Sequence, residues 1–196
     1  MTDKESGRQD FESELNDCFE ALQIMIGDVD LATNLVISSR SWSDMRSFAR
    51  TMFASFEVTI YLLKQVALLV DSYQPCFQEH ERMILRDRSY SVNSRGVIEE
   101  KEARVAMKAS MLLAFSAASR AFGVENPLDT SKKEWESFQI AIKIRDRLTH
   151  PKKSKDLFLS PQEIDHLVQS GRYIIECFYK LAHKSNSAAK MINSGG

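Results

Sequence analysis

The chain has 196 residues, 43% apolar content and a formal net charge of −1. That is enough for one domain with a substantial core, and it provides no global field to draw the chain to nucleic acid or membrane. Its three cysteines, Cys18, Cys76 and Cys177, are far apart and form no Cys-x-x-Cys pair, which argues against a disulfide framework or a zinc knuckle and suits a reducing cytoplasm.

In chain order, Met1 to Asp10 is polar and lacks the apolar centre of a secretory signal, so residues 1–9 are expected to be a disordered lead. Phe11, Leu15, Cys18, Phe19, Leu22, Met25 and Ile26 recur at helical spacing and predict a first amphipathic helix. Nine acidic residues fall in the first thirty positions, against Lys4 and Arg8 alone. Val29 to Ile37 reads as a separate short helix. Ser41 or Ser43 caps the longest predicted helix, about 43–71, whose stripe runs Met45, Phe48, Met52, Phe56, Ile60, Leu63, Ala67 and Val70. Its most apolar part, Val58 to Val70, is broken by Lys64-Gln65 and is short for a bilayer span. Arg46, Arg50, Glu57 and Lys64 share one edge of this helix, either as a solvated flank or, at Arg50 and Glu57, beside a site farther along the chain.

Residues 72–96 break the pattern at Pro75 and read as a short helix followed by an Arg-rich loop. A helix over about 97–122 carries Met107, Met111, Phe115, Ala118 and Phe122 and stops at Gly123. Ser131 with Glu134 predicts a capping box for a helix from about 132, and Ser160, Pro161 and Glu163 repeat the device for the last helix. Residues 185–196 form a Ser/Asn/Ala/Gly tail, expected to be disordered. No segment alternates with period two. The expected fold is all-α, an antiparallel bundle of four main helices plus one or two short ones, in a single domain over 10–184.

Several chemistries lack their residues. There is no Gly-rich phosphate loop, no His-Glu-x-x-His helix and no serine elbow. One Glu-x-x-His, Glu163 to His166, has no second copy of the kind a di-iron bundle needs. No metal or cofactor is expected. What stands out is Ile144 to Pro151, where Arg145 falls on the apolar arc of Trp135, Phe138, Ala141, Ile142, Leu148 and Thr149, at about 100° per residue. A guanidinium keeps its charge, so such a seat needs a receiver. His150 precedes Pro151, which pushes it out of helical geometry at the helix end. One reading makes Arg145 a buried ion-pair partner of Glu57, with His150 a cation favoured by the helix dipole.

The Arg-x-x-x-x-His spacing, the polar Asp146 after the arginine and the helical surroundings together resemble the HEPN domain family. The resemblance implies a metal-independent endoribonuclease of the toxin or antiviral-defence kind. Arg145, His150 and Asp146 would form the catalytic set, completed by a second copy in a homodimer. Histidine suits proton transfer near neutral pH, and arginine suits a developing phosphorane charge. Lys143, Arg147, Lys152, Lys153 and Lys155 would line the RNA, with Glu57 and Arg50 as supporting residues. An antitoxin or another regulator is a candidate partner. One subset of the family carries a tyrosine two residues after the histidine, where this chain has Lys152. The alternative is a non-catalytic helical module for RNA binding or dimerisation.

Overall fold

The computed structural model describes the backbone of residues 3–39 and 41–194 and the side chains of 13–39 and 41–184. The order is α1 (Asp3–Ser39), α2 (Trp42–Tyr73), α3 (Glu79–Leu85), β1 (Arg88–Val92), β2 (Ile98–Glu102), α4 (Met107–Ala121), α5 (Lys133–Thr149), a short 3-10 turn (Ser154–Leu157) and α6 (Pro161–Ser194). The molecule is mostly helical, with one antiparallel hairpin. The backbone of α1 and α6 includes much of the lead and tail expected to be disordered. Their side chains lie outside the described range, as do Met1, Thr2, Gly195 and Gly196 altogether.

Helix α2 is the central post, because its apolar stripe is wide enough to meet α1, α4, α5 and α6. Phe48, Met52 and Phe56 bury completely or nearly so against Phe115 of α4, Phe138 of α5 and Ile174 of α6. Phe56 meets Phe138 edge to face at 5.2 Å, and Trp135 stacks on Phe138 at 4.9 Å. Gly171 lets α6 come close to α2, since a Cβ there would sit 2.5 Å from Met52 Sδ. Ser41 caps α2 by accepting from Asp44 N at 3.1 Å. In α6, Ser160 N donates to Glu163 Oε2 at 2.8 Å while Glu163 N donates to Ser160 Oγ at 3.2 Å, the reciprocal capping box that the sequence predicts.

Several local expectations are corrected. The two predicted N-terminal helices are one, 37 residues long, so α1 and not α2 is the longest. A glycine costs about 1 kcal/mol in a helix, and Gly27 does not break α1, whose buried residues Leu22, Val29 and Val36 recur every two turns against α2. Residues 88–102 form a hairpin where a loop and the start of a helix are expected. Asn93 explains it: its Oδ1 accepts from Arg95 N at 2.9 Å and Val97 N at 3.0 Å, and Gly96 takes φ 74°. This side-chain-built turn overrides the helix preference of Ile98-Glu-Glu-Lys-Glu. Helix α4 therefore starts only at Met107. At α5 the capping box is absent: Ser131 Oγ donates to Asp129 at 2.7 Å, and Lys132 occupies the cap without a side-chain bond.

Two stretches, Ser13–Ser39 and Trp42–Tyr73, are long and apolar enough to cross a membrane by length and composition. The α2 stretch is 56% buried inside the bundle. The α1 stretch holds Asp28 and Asp30, and carboxylates are costly in hydrocarbon.

Candidate functional site

Helix α5 buries Trp135, Phe138, Ala141 and Ile144. At 100° per residue these four span about 180°, and Arg145 falls inside that arc, yet near the C-terminal end of the helix its side chain is part-exposed. Thr149 is exposed as well. Arg145 is 37% exposed and donates from Nη2 to Glu57 Oε1 of α2 at 2.8 Å, with Asp146 Oδ1 3.9 Å from its Nη1. The receiver is thus the residue the sequence nominates, but the pair is half-open and not buried. Thr149 Oγ1 donates to the Arg145 carbonyl at 2.8 Å and closes the last turn.

His150 is the C-cap of α5, with φ −125° and ψ 58°, and its N–H donates to the Asp146 carbonyl at 3.0 Å. Its ring is exposed. Five helical steps place positions 145 and 150 about 140° apart around an ideal helix axis. Asp146 is 65% exposed. Arg50 is exposed one face-repeat before Glu57 and makes no ion pair among the described residues.

The basic rim divides into two kinds of residue. Lys143, Lys152, Lys153 and Lys155 are exposed. Arg147 is not available in the same way. Its Nη1 donates to the carbonyls of Asp156 at 2.9 Å and Phe158 at 2.8 Å, and Nη2 meets Glu163 Oε1 at 2.6 Å. It is the bolt that holds the 151–160 connection onto α5 and α6. Asp156 completes the loop by accepting from the N–H groups of Lys152 and Lys153, both at 2.9 Å. These two bonds hold its carboxyl below the usual carboxylate range.

A polar groove of about 420 Å³ opens beside Arg145, lined by Glu57, Lys64, Asp87, Glu102 and Arg104. Sequence reasoning placed Lys64 on a charged edge, yet only 2% of its side chain is exposed, and its Nζ reaches Asp87 Oδ1 at 2.5 Å. Asp87 has φ 55°, the left-handed conformation that short polar residues tolerate, and its carbonyl accepts from Ala103 N at 2.8 Å. The Arg-Asp-Arg at 86–88 is the only sequence signal for this joint. Among the described residues no three His, Cys, Asp or Glu side chains cluster as a metal site. Glu163 is engaged with Arg147 and the α6 cap, and His166 Nδ1 lies 3.1 Å from Ser137 Oγ.

No family model matches the chain, and neither a curated protein nor a solved structure matches it.

Proposed function

We propose that the protein is a metal-independent endoribonuclease of the HEPN type, cytoplasmic and cofactor-free, that acts as a homodimer in defence or as a toxin under a regulatory partner. The observation that carries this reading is that Arg145 and His150 both remain open to solvent at the end of α5, beside the exposed Lys152, Lys153 and Lys155. A half-exposed pair such as Arg145–Glu57 is worth about 0–1 kcal/mol, so an incoming phosphate, which offers arginine two oxygens at once, can displace the carboxylate.

In the reaction, an imidazole takes the proton from a ribose 2′-OH, O2′ attacks the adjacent phosphorus, and the P–O5′ bond breaks. The leaving O5′ takes a proton from an imidazolium, and Arg145 donates to the phosphorane oxygens as charge builds on them. One histidine per chain supplies one of the two proton transfers, which is why two chains suit the chemistry. The products are a 2′,3′-cyclic phosphate and a 5′-hydroxyl.

The Arg145–Glu57 ion pair itself favours a second reading, a non-catalytic module for RNA binding or dimerisation in which that pair is structural. Incubating the protein with single-stranded RNA in EDTA separates the two. The endonuclease yields cyclic-phosphate ends, and His150→Ala lowers the rate at least about 100-fold with the helical content unchanged. Undiminished cleavage by His150→Ala would remove the assignment, and RNA bound but never cut would leave the module.

A further inference from the structure

We propose that Trp42 and Phe158 form a base-stacking platform for single-stranded RNA at the start of a cationic track along α2 that leads to Arg145. This inference rests on the RNA reading above. Trp42 is the first residue of α2 and is 47% exposed, and Phe158, just past the 3-10 turn, is 46% exposed. Their rings meet edge to face at 5.0 Å and 79°. An edge-to-face contact covers one ring face at most, so about half of each residue remains in water although the two pack together. By contrast Trp135 is 2% exposed, a core residue.

The pair is held from both sides. Arg147 grips the Phe158 carbonyl, Leu159 next to it is fully buried, and the α2 end is fixed by the Ser41 cap. Such anchoring reduces the ordering cost of binding. Charge then selects the ligand. Arg46 and Arg50 follow Trp42 at four-residue steps, and with Glu57 they fall within an arc of about 80° on one side of α2. Neither arginine has an ion pair among the described residues. Lys152, Lys153 and Lys155 lie just before Phe158 in the loop, all exposed.

The carboxylates nearby are already engaged. Asp44 accepts from Ser41 Oγ at 2.6 Å and from Ser39 Oγ, and Asp156 accepts from loop amides. Fifteen residues separate Trp42 from Glu57, about 22 Å along the helix, room for several nucleotides. Aromatic faces interleaved with unpaired cations are the combination that binds single strands through stacking and backbone charge together.

The test uses the full-length protein and a 2′-O-methyl oligoadenylate, which lacks the attacking hydroxyl and survives incubation. Trp135 is buried and shielded from contact with ligand, so a ligand-dependent change in tryptophan emission reports Trp42. Oligoadenylate is expected to quench it, and inorganic polyphosphate, which has charge but no bases, is expected to leave it unchanged. Trp42→Ala and Phe158→Ala are expected to bind oligoadenylate between about 5-fold and 150-fold more weakly, the range for a lost stacked base. Phe158→Leu, which keeps the apolar packing, is expected to weaken binding similarly while preserving the melting temperature. Equal affinity of wild type and the aromatic variants would overturn the platform and leave the ribonuclease reading intact. No binding by wild type would overturn both. A response to anionic phospholipid vesicles in place of oligoadenylate would also overturn the proposal and assign the surface to lipid.

Discussion

Arg145 and Glu57 meet at 2.8 Å across two helices 88 positions apart in sequence. Among the described residues Glu57 is the only carboxylate within hydrogen-bonding distance of that guanidinium, so it competes directly with any phosphate the arginine would hold. Glu57→Gln is therefore expected to raise RNA affinity or kcat/KM by about 2- to 5-fold, the scale of an exposed ion pair, with the gain shrinking at high salt. A fall in both would mean that Glu57 orients Arg145 productively. The pairing was legible in the sequence because 57 and 145 each sit beside an apolar stripe. The depth of Arg145 was not. Counting 100° steps fixes the angle of Arg145 around α5 but not how far neighbouring helices cover that angle at the helix end. Lys64 shows the opposite error: the pattern put it on a wet edge, and the hairpin base then covered it.

At the level of elements, the α2–α3 corner is held by Asp71, which is 5% exposed. It accepts from Arg82 Nε at 2.6 Å and from the N–H groups of Cys76 and Phe77 at 2.7 and 2.8 Å. The Arg82 hydrogen bond foremost, with those two amides, holds its carboxyl far below the ordinary range. A lowered carboxylate contributes stability that is present above the ordinary value of about 4 and is lost as pH falls through the folded-state value. Asp71→Asn is expected to cost about 2 kcal/mol at neutral pH, and the loss should shrink as the medium is acidified below about pH 4. Urea melts of both proteins at several pH values measure it, and a constant difference across that range would refute the account. The helices were readable because their apolar periods are long and their caps, at Ser41 and Ser160, are local. The hairpin was not, because its register depends on one asparagine side chain and one left-handed glycine, while its strands are too short and too polar for alternation to register. The break assumed near Gly27 failed for the converse reason: burial of Leu22, Val29 and Val36 on one partner outweighs the cost of a single glycine.

For the molecule as a whole, positions 145 and 150 lie about 140° apart around an ideal helix, and the proposed chemistry takes one proton-transferring histidine from each of two chains. Specific activity is then expected to fall on dilution through the dimer dissociation constant, in step with the sedimentation coefficient. Activity that stays constant while the protein sediments as a monomer would exclude the composite site. The buried Lys64–Asp87 joint has a consequence of another kind, in chemical labelling. Lys64 is the seam between the helical bundle and the hairpin, and its amine lies out of reach, whereas the other described lysines are exposed or, at Lys184, partly so. An amine-acylating reagent should therefore modify Lys64 last. Its labelling rate, read by peptide mass spectrometry, would time how often the hairpin lifts from the bundle. Asp87→Ala, by removing the carboxylate that holds the amine, should bring that rate towards those of the surface lysines.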